Sequence, residues 1–146
     1  MNSTQHTTEI ISPATLLVRV GQLRHQGWRL SAISSARAGE VLELIYSFDR
    51  DYILLNLRME LPADNARVPS ISSHYFCAVL YENEIHDLFG LQVSDMAVDF
   101  KGNLYKTAVK FPFGSTKAPS AASASKAPTP VVSAATPQTA TLPAAS

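Results

Sequence analysis

Apolar residues return at helical spacing through Leu16, Leu17, Val20 and Leu23, preceded by Ser12-Pro13 and followed by Gly27. A serine N-cap, a proline in the first helical position and a glycine stop predict a helix over about residues 13–26. The period then changes to two. Trp28 and Leu30 begin a strand, Ala38-Gly39 makes a turn, and Leu42, Leu44, Tyr46 and Phe48 alternate along a second strand. Asp49-Arg50-Asp51 reverses the chain into a third, with Ile53, Leu55, Leu57, Met59 and Leu61 on one face and Asn56, Arg58 and Glu60 on the other. Such alternation belongs to an antiparallel meander with one buried and one wet face.

Pro62 and Pro69 bracket a polar connection, after which Ser72-Ser73 is expected to cap a second helix from about His74 to Phe89. On a helical projection Cys77, Ala78, Tyr81, Ile85 and Leu88 share one side, the stripe expected to lie on the sheet. Phe76, Val79 and Leu80 make the back of the first half apolar as well, so that side must be enclosed by this domain or by another subunit. Beyond Gly90, Val98 to Phe100 and Leu104 to Val109 flank Lys101-Gly102-Asn103 and predict a short hairpin. The expected fold class is α+β, a small, mostly antiparallel sheet with packed helices, spanning residues 10–114.

Composition changes the picture at Ser115. From there the chain is Ala, Ser, Thr and Pro with Lys117 and Lys126, and it lacks aromatic and acidic residues. Too little apolar surface is available to offset ordering entropy, so residues 115–146 are expected to form a disordered tail. The 146-residue chain has a formal net charge of +0, which argues against a nucleic-acid partner. Setting the tail lysines aside leaves the folded part slightly acidic. Cys77 is the only cysteine, which excludes an internal disulfide and a cysteine-ligated iron–sulfur cluster held by this chain alone. MNSTQHTTEI does not have the basic start and apolar core of a signal peptide. The longest apolar run, Tyr75 to Tyr81, is far short of the roughly 20 residues that span a bilayer. A cytoplasmic setting fits, with any membrane anchor supplied by another chain.

Glycines are scattered with no phosphate-binding loop, and neither a serine nucleophile elbow nor a cysteine with an obvious partner histidine is present. Glu82 and His86, four apart, have the spacing by which one helical face offers a metal two ligands. H-E-x-x-H and a nearby third ligand are missing. A self-sufficient metal-dependent enzyme using this pair therefore stays open as an alternative, as does a free-standing adaptor whose tail recruits a partner. More telling is the crowding of Glu82, Glu84 and Asp87 toward the carboxyl end of the second helix. The macrodipole is negative there, and each misplaced carboxylate costs roughly 0.3–1 kcal/mol. Such conflicts between local physics and local sequence gather at functional or interfacial positions.

At these residues the chain becomes recognisable. Tyr81-Glu82-Asn83-Glu84-Ile85-His86-Asp87-Leu88-Phe89-Gly90 resembles the E-R-E-x-x-D-x-F-G signature of the respiratory complex I 30 kDa subunit family, which also supplies a subunit of membrane-bound energy-converting NiFe hydrogenases. The leading helix, the meander and Val68-Pro69-Ser70 ahead of the motif follow the family layout through most of residues 12–113. Two departures stand out. Asn83 replaces the arginine of the respiratory members, and the segment from Ala97 to Phe113 replaces their histidine- and arginine-bearing one. That shorter ending resembles the hydrogenase branch, of the Ech or carbon-monoxide-induced type. The resemblance implies a cofactor-free scaffold subunit, peripheral on the cytoplasmic side of the cell membrane. It would pack beside a NiFe-hydrogenase-like large subunit, near an iron–sulfur small subunit and only indirectly against membrane-arm subunits. The NiFe centre and the iron–sulfur clusters would lie in those partners. It further implies that Glu82, Glu84 and Asp87 pair across a subunit interface, where Phe89 and Gly90 shape the helix exit.

Overall fold

The computed structural model describes residues 5–114. The expected disordered tail, 115–146, lies outside the described residues. Eight elements follow in order: strand β1 (Gln5–Ile10), helix α1 (Pro13–His25), strands β2 (Arg29–Ala38), β3 (Val41–Arg50), β4 (Ile53–Pro62) and β5 (Arg67–Pro69), helix α2 (Ala78–Phe89) and strand β6 (Gln92–Ser94). The fold is α+β. Its main sheet has the order β1-β4-β3-β2, and β5 and β6 form a small parallel pair.

The meander forms where the period-two pattern expects it. β2 pairs antiparallel with β3, closing at Ala38 and Val41, and β3 pairs antiparallel with β4 in unbroken register from Val41 with Pro62 to Arg50 with Ile53. The second turn therefore consists of Asp51 and Tyr52, at φ 49° and 64°, while Asp49 and Arg50 of the expected reversal still belong to β3. Two left-handed residues give the twist that a tight hairpin needs. Leu42, Leu44, Tyr46 and Phe48 of β3 and Leu55, Leu57, Met59 and Leu61 of β4 are buried on one face, together with Leu16, Val20 and Leu23 of α1. Ser12 and Thr15 close the start of α1, the Thr15 amide donating to the Ser12 carbonyl at 3.1 Å and its hydroxyl accepting from the Ser12 amide at 3.2 Å.

Four expectations are corrected. β1 carries the folded unit back to Gln5. It runs parallel to β4 from Gln5 with Ile53 to Ile10 with Arg58, and Glu9 forms a bidentate pair with Arg19 of α1 at 2.6 and 2.8 Å. This edge strand is almost wholly exposed, so it has no apolar alternation to betray it. Helix α2 begins at Ala78 rather than His74. The preceding residues coil in separate turns, His74 and Tyr75 both donating to the Ile71 carbonyl at 2.9 Å, while the Ser72 hydroxyl is engaged elsewhere. The hairpin expected over 98–109 is absent, and its place is taken by turns fastened to α2 by side chains. On α2 itself Cys77 is exposed, whereas Ala78, Val79 and Ile85 are buried beside the polar residues Glu82, Asn83 and Asp87.

Candidate functional site

Each inward polar side chain of α2 holds a different length of chain. Glu82, 2% exposed, accepts from the Ile71 amide at 2.7 Å through Oε1 and from the Ser70 hydroxyl at 2.6 Å through Oε2. The network continues outward. Ser70 and Ser72 share a hydroxyl contact of 2.6 Å, and Ser72 Oγ accepts the Ala97 amide at 2.9 Å. Since Ser70 donates to the carboxylate, the proton between the two hydroxyls comes from Ser72, and the donors run in one direction from Ala97 to Glu82. Burial raises the Glu82 pKa above the ordinary carboxylate value, and the Ser70 and Ile71 donors oppose the rise. Burial also pushes the Tyr46 hydroxyl up, with the Glu82 charge adding to the shift.

One residue along, Asn83 has no exposed surface. Its Oδ1 accepts the Phe100 amide at 2.9 Å, and its Nδ2 donates to the carbonyls of Val98 at 2.9 Å and Val79 at 2.8 Å. One turn further, Asp87 Oδ2 accepts the Tyr105 amide at 2.9 Å. Asn83 and Asp87, four apart, thus grip both ends of the segment from Val98 to Tyr105. His86 uses Nδ1 on the Leu91 carbonyl at 2.7 Å, which places the proton on that nitrogen, and its ring meets Phe111 edge-on at 5.9 Å.

The carboxyl end of α2 is closed the same way. Gly90 ends it at φ 78°, with its amide on the His86 carbonyl at 2.9 Å, and the Phe113 amide donates to the Leu88 carbonyl at 2.9 Å. A Cβ on Gly90 would lie 3.1 Å from the Phe111 ring, so glycine serves here both for backbone conformation and for space. Phe89 packs against Phe113 with ring centroids 5.7 Å apart.

The five residues expected at an interface therefore part company. Glu82 and Asp87 have partners inside their own chain, and Phe89 and Gly90 seat the 110–114 segment. Glu84 is half-buried and has no ion-pair partner among the described residues. It lines an open groove of about 470 Å³ with Cys77, Leu80, Tyr81, Leu104 and Tyr105. Leu80 is 59% exposed and Phe76 70%, with Val98, Phe100 and Tyr105 also standing out on the fastened segment. Glu82 and His86 are committed to different segments, both Glu82 oxygens to Ser70 and Ile71 and His86 Nδ1 to the Leu91 carbonyl. Among the described residues no group of three or more His, Cys, Asp and Glu side chains gathers as metal ligands.

Ser70, Ser72 and Asn83 are the parts of this arrangement missed by the sequence reading. Asn83 stood out as a departure from a motif, but the 15- and 17-residue separations from its partners Val98 and Phe100 carry no periodic signal.

The site is thus a helix whose buried polar residues fasten neighbouring segments beside an apolar groove that holds one acid. The chain belongs to the family described as respiratory-chain NADH dehydrogenase, 30 Kd subunit, whose model matches residues 7–111. Among solved structures, a chain of the membrane-bound sulfane sulfur reductase, an archaeal respiratory membrane complex, shares the fold with a TM-score of 0.64 at 15% identity. The match covers 77% of this chain and 69% of that one. No curated protein matches the chain. Among the described residues, no helix is long and apolar enough to cross a membrane.

Proposed function

We propose that this chain is a cofactor-free scaffold subunit of a membrane-associated, complex I-like oxidoreductase, of the energy-converting NiFe hydrogenase branch. In this reading it sits peripherally on the cytoplasmic side, beside a NiFe-bearing large subunit and near an iron–sulfur small subunit. It supports electron transfer coupled to ion translocation by holding those partners in register. Family membership supports the subunit role, and a neighbour in fold that belongs to a respiratory membrane complex is in keeping with it. The hydrogenase branch is preferred on Asn83 and on the short segment after Gly90.

One observation carries the reading: internal carboxylate and amide contacts hold an exposed apolar groove in shape. Polar groups buried this deeply stay satisfied only while the segments they grip remain in place. The groove is thus kept rigid in the free chain, which lowers the ordering cost of binding a partner. Leu80 and Tyr105 are the apolar contacts and Glu84 the charged one. Against the alternative of a metal-dependent enzyme stands the engagement of both Glu82 oxygens by Ser70 and Ile71.

Co-expression with the large and small subunits tests this. A Leu80→Glu, Tyr105→Ser double variant should lose large-subunit recovery by more than tenfold, since removing anchors at the centre of an interface costs about 2 kcal/mol or more. The free variant should melt within a few degrees of wild type, both side chains being substantially exposed. Full recovery of the complex would remove the groove from the interface.

A further inference from the structure

The two edges of the main sheet are built differently. β2 carries a bulge at Ser31, the guanidinium groups of Arg29 and Arg37, and helix α2 beside it, whose Tyr81 hydroxyl donates to the Ser31 carbonyl at 3.4 Å. Bulges, charged side chains and covering helices keep an edge from pairing with another strand. β1 has neither proline, lysine nor bulge over Gln5–Ile10, its one carboxylate is taken by Arg19, and among the described residues no strand lies on its outer side. Exposed apolar side chains flank this open edge on both faces. Ile10, 85% exposed, stands on one, and Val18 of α1, 66% exposed, on the other. The Arg19–Glu9 pair fixes which side of α1 is turned toward β1, and by helical spacing Val18 shares that side. The opposite side of α1 faces the second layer, with the Arg24 guanidinium over the Tyr75 ring at 5.4 Å.

The free hydrogen-bonding groups of β1 follow from its ladder. In a parallel pair every second residue turns its amide and carbonyl toward the neighbouring strand, and here the Ile11 amide donates to the Arg58 carbonyl at 2.9 Å. Gln5, Thr7 and Glu9 therefore bond to β4, and His6, Thr8 and Ile10 present their backbone groups outward. The strand is complementary to itself about Thr8. A two-fold axis through Thr8, perpendicular to the sheet, runs a second β1 antiparallel to the first and keeps like faces together. Thr8 then stands opposite Thr8, and His6 opposite Ile10 in both directions, so all three outward residues enter closely bonded pairs. Between these pairs Thr7 meets Glu9, and no two like charges face each other across the seam. The same axis sets both α1 helices on one face with their Val18 sides toward one another.

We infer that β1 is a self-association edge, through which two copies of the chain join their four-stranded sheets into one continuous sheet. Ile10 is covered by His6 of the second copy on one face, and Val18 by α1 of the second copy on the other. The seam is narrow, so the dimer is weak and reversible. β1 and the α2 groove belong to different parts of the chain, and the dimer does not depend on the role given to the groove.

Sedimentation velocity on the full-length chain, from about 5 to 500 µM, should show a monomer–dimer equilibrium. Thr8→Pro removes an outward amide that makes no bond to β4, at a position where an edge strand accepts proline. It should raise the dimer dissociation constant roughly tenfold or more, since the symmetry removes two hydrogen bonds at once. Ile10→Lys, at an exposed side chain, should also weaken the dimer and leaves the fold intact, so it decides the matter if the proline variant fails to fold. Register is read by cross-linking in a Cys77→Ala background, free of the native thiol. Thr8→Cys brings two thiols opposite each other, with α-carbons about 5.5 Å apart, whereas Gln5→Cys holds them about 20 Å apart. A short bismaleimide should link the first and spare the second. A monomer throughout the concentration range would overturn the inference. So would a dimer that neither Thr8→Pro nor Ile10→Lys weakens, or one that cross-links at Gln5→Cys in preference to Thr8→Cys.

Discussion

A carboxylate at 2% exposure stays charged only if donors replace the water it has lost, and Glu82 has two. Its raised pKa shows that the replacement is incomplete, burial being the larger influence. The sign of the pH dependence follows. A carboxyl whose pKa is higher in the folded state favours folding while protonated, and that contribution is lost as pH rises from the unfolded value through the folded one. Glu9 and Asp49, whose pKa values are lowered by Arg19 and Arg29, act in the opposite sense, so Glu82 must be isolated by difference. In urea unfolding, the stability of wild type relative to Glu82→Gln should fall as pH is raised from about 4.5 toward neutrality. A difference independent of pH would mean the carboxyl titrates alike in both states. Asn83→Ala strands the Phe100 amide and should cost about 1–3 kcal/mol, with faster amide exchange at Phe100 than at core positions of β3.

At the scale of elements, the β3–β4 hairpin combines a favourable register with an unfavourable turn residue. Tyr52 stands at φ 64° with 85% of its surface exposed, so it pays the left-handed penalty and gains little packing. Tyr52→Gly should stabilise the fold by roughly 0.5–1 kcal/mol, read as a higher urea midpoint at unchanged slope. Failure to stabilise would show that the ring is held by contacts beyond those described. Helix α2 eases its macrodipole conflict at two of its three acids, Glu82 and Asp87, by supplying them with amide donors. Asp87 receives the Tyr105 amide, and Phe113 and Gly90 close the last carbonyls. Glu82 and Asp87, which look misplaced on an isolated helix, thus become anchors for the chain packed against it, while Glu84 stays at the groove.

For the whole molecule, a main sheet with α1 packed on its apolar face carries a second layer of chain from Ala66 to Tyr75 and from Leu91 to Gly114, in which the short β5–β6 pair is the regular part and turns the rest, organised around α2. That layer, rather than the sheet, bears the groove and the family motif. The full chain should bind no stoichiometric metal, because both Glu82 oxygens are taken by Ser70 and Ile71, and among the described residues no group of three or more His, Cys, Asp and Glu side chains gathers around His86. About one zinc, nickel or iron per chain, lost on His86→Ala, would contradict that assignment.

The meander and α1 were legible because each repeats one face at a fixed period, and local spacing alone then decides which residues turn inward. The motif was legible too, down to Gly90, whose left-handed φ is a local backbone demand. The parallel pairing of β1 with β4 has no such signature, since a polar edge strand joins residues some fifty positions away through backbone bonds that any side chains permit. The fate of Glu82, Asn83 and Asp87 was likewise left to the tertiary structure. Helical spacing determines that these side chains leave α2 in neighbouring directions. Whether they meet water, a partner's arginine or the amides of Ile71, Phe100 and Tyr105 depends on where segments without periodicity come to rest.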